Sequence, residues 1–316
     1  MPLGYLGYLK LAGVYLLANS AGLNRVVNPL TSSAVWGAGW YTAPTVSNYA
    51  DSQQNFEGAA TWEMQGIPSV WNLVRDWMVE RRVYPQSIEL SPNGLQKQSH
   101  QVVPGDPRSG AWMKSASLTI DAEALITMNC NLLALTRVET TVGTTYEDIR
   151  IGPGLPTGPM NPSPVNMNPI PGWMARTNIV WPDAPPIWTT SDRSGFVMQS
   201  ASLNYDNNTV VIRGCTGDRN PVAIMQGTMT VSGDISLWRN GIIPDPYGNP
   251  GNPFTASNAL LEMSFGAVNP LKMTVAHLLL ESDSFQIAGP NSPVVRTFGF
   301  MGLGDGQAPP FQLSQA

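Results

Sequence analysis

Histidine and cysteine are nearly absent from this chain, with two of each among 316 residues. His100 and His277 lie far apart and have no metal-ligand spacing around them. His277 sits in an apolar run, as a structural histidine would. No HExxH, paired CxxC, P-loop or GxSxG element is present. Gly302, Gly304 and Gly306 lead into proline rather than into a phosphate-holding helix. The sequence therefore assigns no catalytic, cofactor-binding or metal-binding residue, and no cofactor is expected. Carboxylates remain numerous enough for some pair to approach, so spacing alone does not dispose of a glycosidase.

Charge is scarce as well. Charged residues make up 12 % of the chain, about half the usual share. The net charge is −5, and Arg81-Arg82 is the only adjacent basic pair. No basic patch of the kind that grips phosphate is visible. Long hydrophobic runs are missing too. The opening MPLGYLGYLKLAGVYLLANSAG carries Lys10 inside its apolar stretch and lacks the basic start of a signal peptide. It is also too short to span a membrane, and reads as one or two buried or interface strands.

What the chain does have is glycine (30), proline (28) and a 42 % hydrophobic share. Few charges with many turn-formers suit an all-β protein whose surface is largely covered, most simply by further copies of itself. The length allows one large β domain or two ordinary ones.

A repeat gives the local structure. Residues 108–130 read RSGAWMKSASLTIDAEALITMNC and residues 193–215 read RSGFVMQSASLNYDNNTVVIRGC, identical at ten of twenty-three positions without a gap. In the first copy Lys114, Ala116, Leu118 and Ile120 share one face, opposite Ser115, Ser117 and Thr119. In the second, Ala201, Leu203 and Tyr205 oppose Ser200, Ser202 and Asn204. A period of two with hydroxyl residues on one side predicts a half-buried strand. Asp121-Ala122-Glu123 and Asp206-Asn207-Asn208 supply turns, because Asp and Asn bond their own backbone. Ile126, Met128, Cys130 and Leu132 then alternate on a returning strand. Each copy is thus expected to be a β-hairpin. Cys130 and Cys215 fall at equivalent repeat positions, so a disulfide is conceivable. The other reading is two small buried side chains in a reduced, cytosolic assembly environment. Arg108 and Arg193 open the two copies, as solvated turn arginines or as inter-subunit ion-pair donors.

Further strands are expected at Thr61–Met64, Gln226–Trp238, Leu260–Phe265 and Leu271–Leu280. A closing hairpin is expected over Phe285–Leu303, turning at Gly289-Pro290-Asn291-Ser292. One helix stands out at Ile67–Arg82, with Val70, Val74, Trp77 and Met78 on one stripe and Arg81 and Arg82 in the last turn. Gly152–Gly172 and Ile243–Phe254 are long turn-rich segments, the first within an inserted loop region near 152–190. Segments of that kind are usually functional or lie against a neighbour. Trp62, Trp71, Trp77, Trp112 and Trp238 sit in strand or helix patterns, which favours burial over sugar stacking.

Three stretches together resemble phage tail tube proteins. MQGTMTVSGDISLW (Met225–Trp238) is similar to their glycine-punctuated threonine/valine strand. LLLESDSFQIAGPNSPVVRTFGFMGL (Leu278–Leu303) is similar to their final strand pair, and FEGAATWEMQ followed by the helix to their strand-then-helix order. The resemblance implies a mainly β fold, a sandwich or barrel-like core with one flanking helix and long Pro/Gly-rich loops, in a single subunit spanning residues 1–316. It implies hexameric rings that stack into a tube in the virion, after assembly in the host cytoplasm. Genome DNA would pass through the lumen without specific binding, and no membrane would be involved. Sheath, terminator and baseplate proteins would be the other partners. A carbohydrate-binding β-sandwich of a tail tip or secreted protein predicts a row of exposed aromatics instead. A tail terminator or minor virion protein would stop at one ring.

Overall fold

The structure is a computed structural model. It describes residues 8–27, 29–31, 49–51, 53–66, 68–78, 85–91, 96–106, 108–136, 138–141, 169–180, 187–188, 197–218, 220–238, 260–265, 271–287, 294–304 and 310–315. The N-terminal stretch is a hairpin of β1 (Tyr8–Leu11) and β2 (Val14–Val26). It turns on Ala12 and Gly13, at φ 46° and 86°. β3 (Pro29–Thr31) pairs with β4 (Tyr49–Asp51) in a small ribbon. β5 (Asn55–Glu63) leads into the helix α1 (Pro68–Met78), then β6 (Ile88–Ser91) and β7 (Gln96–His100). β8 (Ala111–Asp121) and β9 (Thr127–Ala134) precede β10 (Val138–Thr141), β11 (Arg176–Val180) and β12 (Ile187–Trp188). β13 (Val197–Asp206), β14 (Val210–Ile212), β15 (Ala223–Met225) and β16 (Thr230–Trp238) follow. The chain closes with β17 (Leu260–Phe265), β18 (Leu271–Val275), β19 (Leu278–Ile287), β20 (Val294–Gly302) and β21 (Phe311–Gln315).

The fold is mainly β, as expected. Twelve strands form one sheet in the order β10-β7-β6-β1-β2-β5-β9-β8-β13-β16-β20-β19, and five form a second, β12-β11-β17-β18-β21. Every neighbouring pair in both sheets is antiparallel. One contiguous apolar cluster unites the two sheets and the helix. It includes Leu9, Trp62, Val70, Leu118, Leu203, Phe300, Met273 and Phe311.

The repeat lies at the centre of the large sheet. β8 and β13 pair antiparallel with Leu118 directly opposite Leu203. These are the same position in the two copies, so a local pseudo-two-fold axis passes between them. The symmetry runs outward through the next three strands on each side. Leu118 faces Met128, Trp62 and Ala18 in turn; Leu203 faces Gly233, Phe300 and Leu280. β9 therefore corresponds to β16, β5 to β20 and β2 to β19. Even the irregularities match: β8 and β13 bulge after Met113 and Met198, and β2 and β19 bulge after Ala18 and Leu280.

Two expectations are corrected here. Lys114 does not share the buried face: the bulge puts Met113 and Ala116 inside and leaves Lys114 exposed, because one inserted residue shifts the alternation. The second copy is also not a hairpin. β9 returns beside β8, but β14 leaves the sheet to pair with β15, and β16 takes the place that β9 holds in the first half. Nine of the ten identities fall at or before Asp121 and Asp206, so the true equivalence ends at the turn. Both turns have the expected chemistry: Asp121 accepts from the Glu123 amide (2.9 Å) and Asp206 from the Asn208 amide (2.7 Å). Cys130 and Cys215 are both free, the first buried and the second exposed.

The expected strand Leu271–Leu280 breaks at Ala276-His277 into β18 and β19. In the helix Val70 and Val74 of the expected stripe are buried, with Trp71 and Leu73 beside them; the side chains of Trp77 and Met78 lie outside the described residues, and the helix lies against β2 and β21. The rest of the predicted helix, with Arg81 and Arg82, lies outside the described residues, as do the 289–292 turn, Ile243–Phe254 and residues 152–168. Ile170 is buried and joins the core by bonds with Met64 and Ile126.

Candidate functional site: the polar face of the central sheet

The period-two pattern sorts the eight strands β2-β5-β9-β8-β13-β16-β20-β19 into an inner and an outer face. Inward lie Trp62, Met128, Leu118, Leu203, Ile235 and Phe300, each at most 1 % exposed. Outward lie Thr61, Asn129, Asn131, Ser115, Ser117, Thr119, Ser202, Asn204, Ser232, Ser236 and Thr297, none of them buried. Small hydroxyls and amides satisfy one another across the strands. Asn131 Nδ2 donates to Ser115 Oγ (2.7 Å), and the hydroxyls of Ser236 and Thr297 lie 2.8 Å apart. Thr61 Oγ1 donates to Asn129 Oδ1 (3.3 Å), and Ser202 Oγ to Asp234 Oδ2 (3.4 Å). Such pairs hold a face in place without apolar cover.

Carboxylates Glu57, Glu63 and Asp234 sit among them, and Lys114 projects from its bulge. A shallow hollow of about 430 Å³ crosses the β8·β13 seam, lined by Ser115, Ser117, Asn131, Asn204, Asp206 and Thr230. Beneath it Tyr205 donates to Asn207 Oδ1 (2.7 Å), and Asn207 Nδ2 donates in turn to the Met113 carbonyl (3.2 Å). Burial, more than the neighbouring Asp206 carboxylate, pushes the Tyr205 phenol above its ordinary range. The Cys130 thiol is likewise raised by full burial. Both stay protonated at neutral pH, so neither is an activated nucleophile.

Among the described residues no group of three or more His, Cys, Asp or Glu is placed to hold a metal ion. His100 is buried, shares a hydrogen bond with the Thr136 carbonyl and meets the Phe56 ring edge-on, a structural setting. His277 sits in the β18–β19 turn, where its carbonyl accepts from the Leu303 amide (2.7 Å). Arg108 pairs within its own chain, with Asp218 at 2.8 Å and Asp106 at 3.3 Å. Arg193 lies outside the described residues. Trp62 and Trp71 are buried, Trp112 and Trp238 are half-buried, and the Trp77 side chain is not among those described. Of the tryptophans described, only Trp173 is exposed, at 67 %.

Sequence reasoning did not find the two edges of this face. Among the described residues no strand pairs with the outer side of β19. Among the same residues β1 covers the outer side of β2 over Val14–Leu16 alone. The signal was present in the equivalent runs Leu16-Leu17-Ala18-Asn19-Ser20 and Leu278-Leu279-Leu280-Glu281-Ser282, which share three residues and the bulge.

Compared with known families, residues 28–237 match the family model described as phage tail tube protein. That span covers the helix, the repeat and most of the polar face. No curated protein matches the chain.

Proposed function

The chain belongs to the phage tail tube protein family, and from that premise we propose that it self-assembles into stacked rings forming the conduit for genome DNA during ejection. It is a structural component of the virion tail. Six chains per ring is the count that the resemblance implies, and assembly takes place in the host cytoplasm. Sheath, terminator and baseplate proteins are the proposed partners at the tube's surface and ends.

The observation that carries this reading is the polar outer face of the central sheet, whose flanking strand β19 has no outer partner among the described residues. A sheet edge left unpaired is a liability for a monomer, and ring closure removes it. The same closure would turn the hydroxyl- and amide-rich face toward a lumen. Such a face suits sliding DNA, because strong phosphate binding needs lysine and arginine in number. Carboxylates at Glu57, Glu63 and Asp234 would add mild repulsion.

Electron microscopy across a protein concentration series, with light scattering on the same samples, tests the proposal. Long hollow tubes with a regular axial repeat are expected. Isolated rings at every concentration would favour a tail terminator, and a persistent monomer would favour the carbohydrate-binding alternative.

A further inference from the structure

The pseudo-two-fold axis has a consequence for how copies meet, resting on the ring reading above. We propose that β19 of one copy pairs antiparallel with β2 of the next, so that each chain supplies eight barrel strands and three chains, rather than six, close a ring.

The edges are matched in direction. Eight alternating strands leave β2 and β19 antiparallel to each other. Placed head to tail around a ring, β19 of one copy therefore meets β2 of its neighbour in antiparallel sense. The edges are also matched in shape, because β2 and β19 are the pseudo-equivalent strands and bulge at the same point. The contact between copies would thus repeat the kind of seam already made inside the chain by β8 and β13, itself a pairing of equivalent strands. The bulge at Asn19 follows the stretch of β2 that carries β1, and among the described residues no strand pairs with the outer side of Ser20 to Val26.

Side chains point the same way. Leu23 on β2 is 2 % exposed, whereas Phe285, its equivalent on β19, is 58 % exposed. A large aromatic ring left bare on an open strand is what a neighbouring copy would cover.

The number of chains follows from the strand count. At a strand spacing of about 4.8 Å and a tilt of about 40°, eight strands from each of three copies make a backbone cylinder about 50 Å across. Side chains reaching about 5 Å inward leave a lumen of about 40 Å. A duplex, with grooves about 8 Å deep, is on the order of 20 Å wide and passes with clearance. Two copies would leave roughly 20 Å, with no clearance, and six would leave roughly 90 Å, far wider than one duplex.

Cysteine cross-linking tests both parts. In a Cys215→Ser background, Gly22→Cys is combined with Ser284→Cys, and companion variants use Ser20→Cys or Asn24→Cys to scan register. A side chain at Gly22 meets nothing within 4 Å, so the substitution fits. Assembled tubes are oxidised and run without reductant. The expected ladder contains linear dimer and trimer and ends at a closed trimer, while each single variant stays monomeric. A ladder reaching the hexamer would overturn the stoichiometry. Tubes that form but give no cross-link at any register would overturn the β19·β2 contact. If no variant assembles, unmodified tubes viewed end-on decide: threefold symmetry is expected, and sixfold symmetry with six chains per ring overturns the inference while leaving the tube reading intact. Unmodified protein that forms no tube at all overturns both.

Discussion

Leu203→Asp is expected to yield no folded protein, whereas Thr119→Asp, on the strand paired with it, is expected to fold normally. Leu203 is 1 % exposed and lies opposite Leu118 at the centre of the large sheet. Removing a buried leucine side chain costs about 2–5 kcal/mol. Placing an unpaired carboxylate there adds several kcal/mol more. Together these approach or exceed the whole stability of an ordinary domain, about 5–15 kcal/mol. Leu118→Asp acts at the pseudo-equivalent site and should have the same result. Thr119 is exposed on the outer face, where a substitution shifts stability by about 0.5 kcal/mol or less. Soluble yield and circular dichroism report the difference. A folded Leu203→Asp protein would mean that the two faces have been assigned the wrong way round.

Asp283→Ala is expected to lower the melting temperature by on the order of 10 °C. Arg296 is 3 % exposed, and its guanidinium pairs with both oxygens of Asp283, Nε to Oδ1 at 2.7 Å and Nη2 to Oδ2. It also lies over the Phe285 and Phe298 rings, 4.5 and 5.1 Å from their centres. Stripping the carboxylate takes the bidentate counter-ion from a buried cation, and breaking a buried pair costs about 3–5 kcal/mol. The lower end applies here, because the Asp283 side chain is 17 % exposed. In a chain of this size each kcal/mol moves the midpoint by about 2–4 °C. The paired change Asp283→Leu with Arg296→Met removes both charges and should recover most of the loss. Calorimetry on the three variants checks this, and an unchanged midpoint for Asp283→Ala would show that solvent already neutralises the guanidinium.

The strand pattern around the repeat was legible because one face of β8, β9, β13 and β16 is buried and the other is not, and period two follows from that alone. The helix was legible from its apolar stripe, and both turns from Asp and Asn. The bulges were not. A bulge adds one residue without changing composition, so Lys114 reads in phase with Ala116 although the backbone has turned it outward. Cys215 misled for a related reason. A late identity extended the alignment past Asp206, where the second half diverts through the β14·β15 ribbon before β16 arrives. By the strand registers Cys130 corresponds instead to Ile235, and Met128 to Gly233, where a side chain would collide with the Ser202 carbonyl at 2.1 Å and the Phe300 ring at 2.8 Å. Large residues on one side of the axis are balanced by small ones on the other, and sequence identity does not record that exchange. The break at Ala276-His277 was hidden because no Gly, Pro, Asn or Asp marks it. The polar face could be listed residue by residue from the sequence, but its continuity across eight strands depends on a strand order that no local pattern encodes.

Hydrogen exchange on matched monomer and assembled samples reads the central claim directly. The account predicts that amides of β19 from Ser282 to Ile287, and of β2 from Ser20 to Val26, gain protection on assembly. Those of the internal β8·β13 seam should be protected in both states. If the edge amides of β19 exchanged as fast in the polymer as in the monomer, the sheet would not close through that edge, and the account of how this chain builds a tube would be wrong.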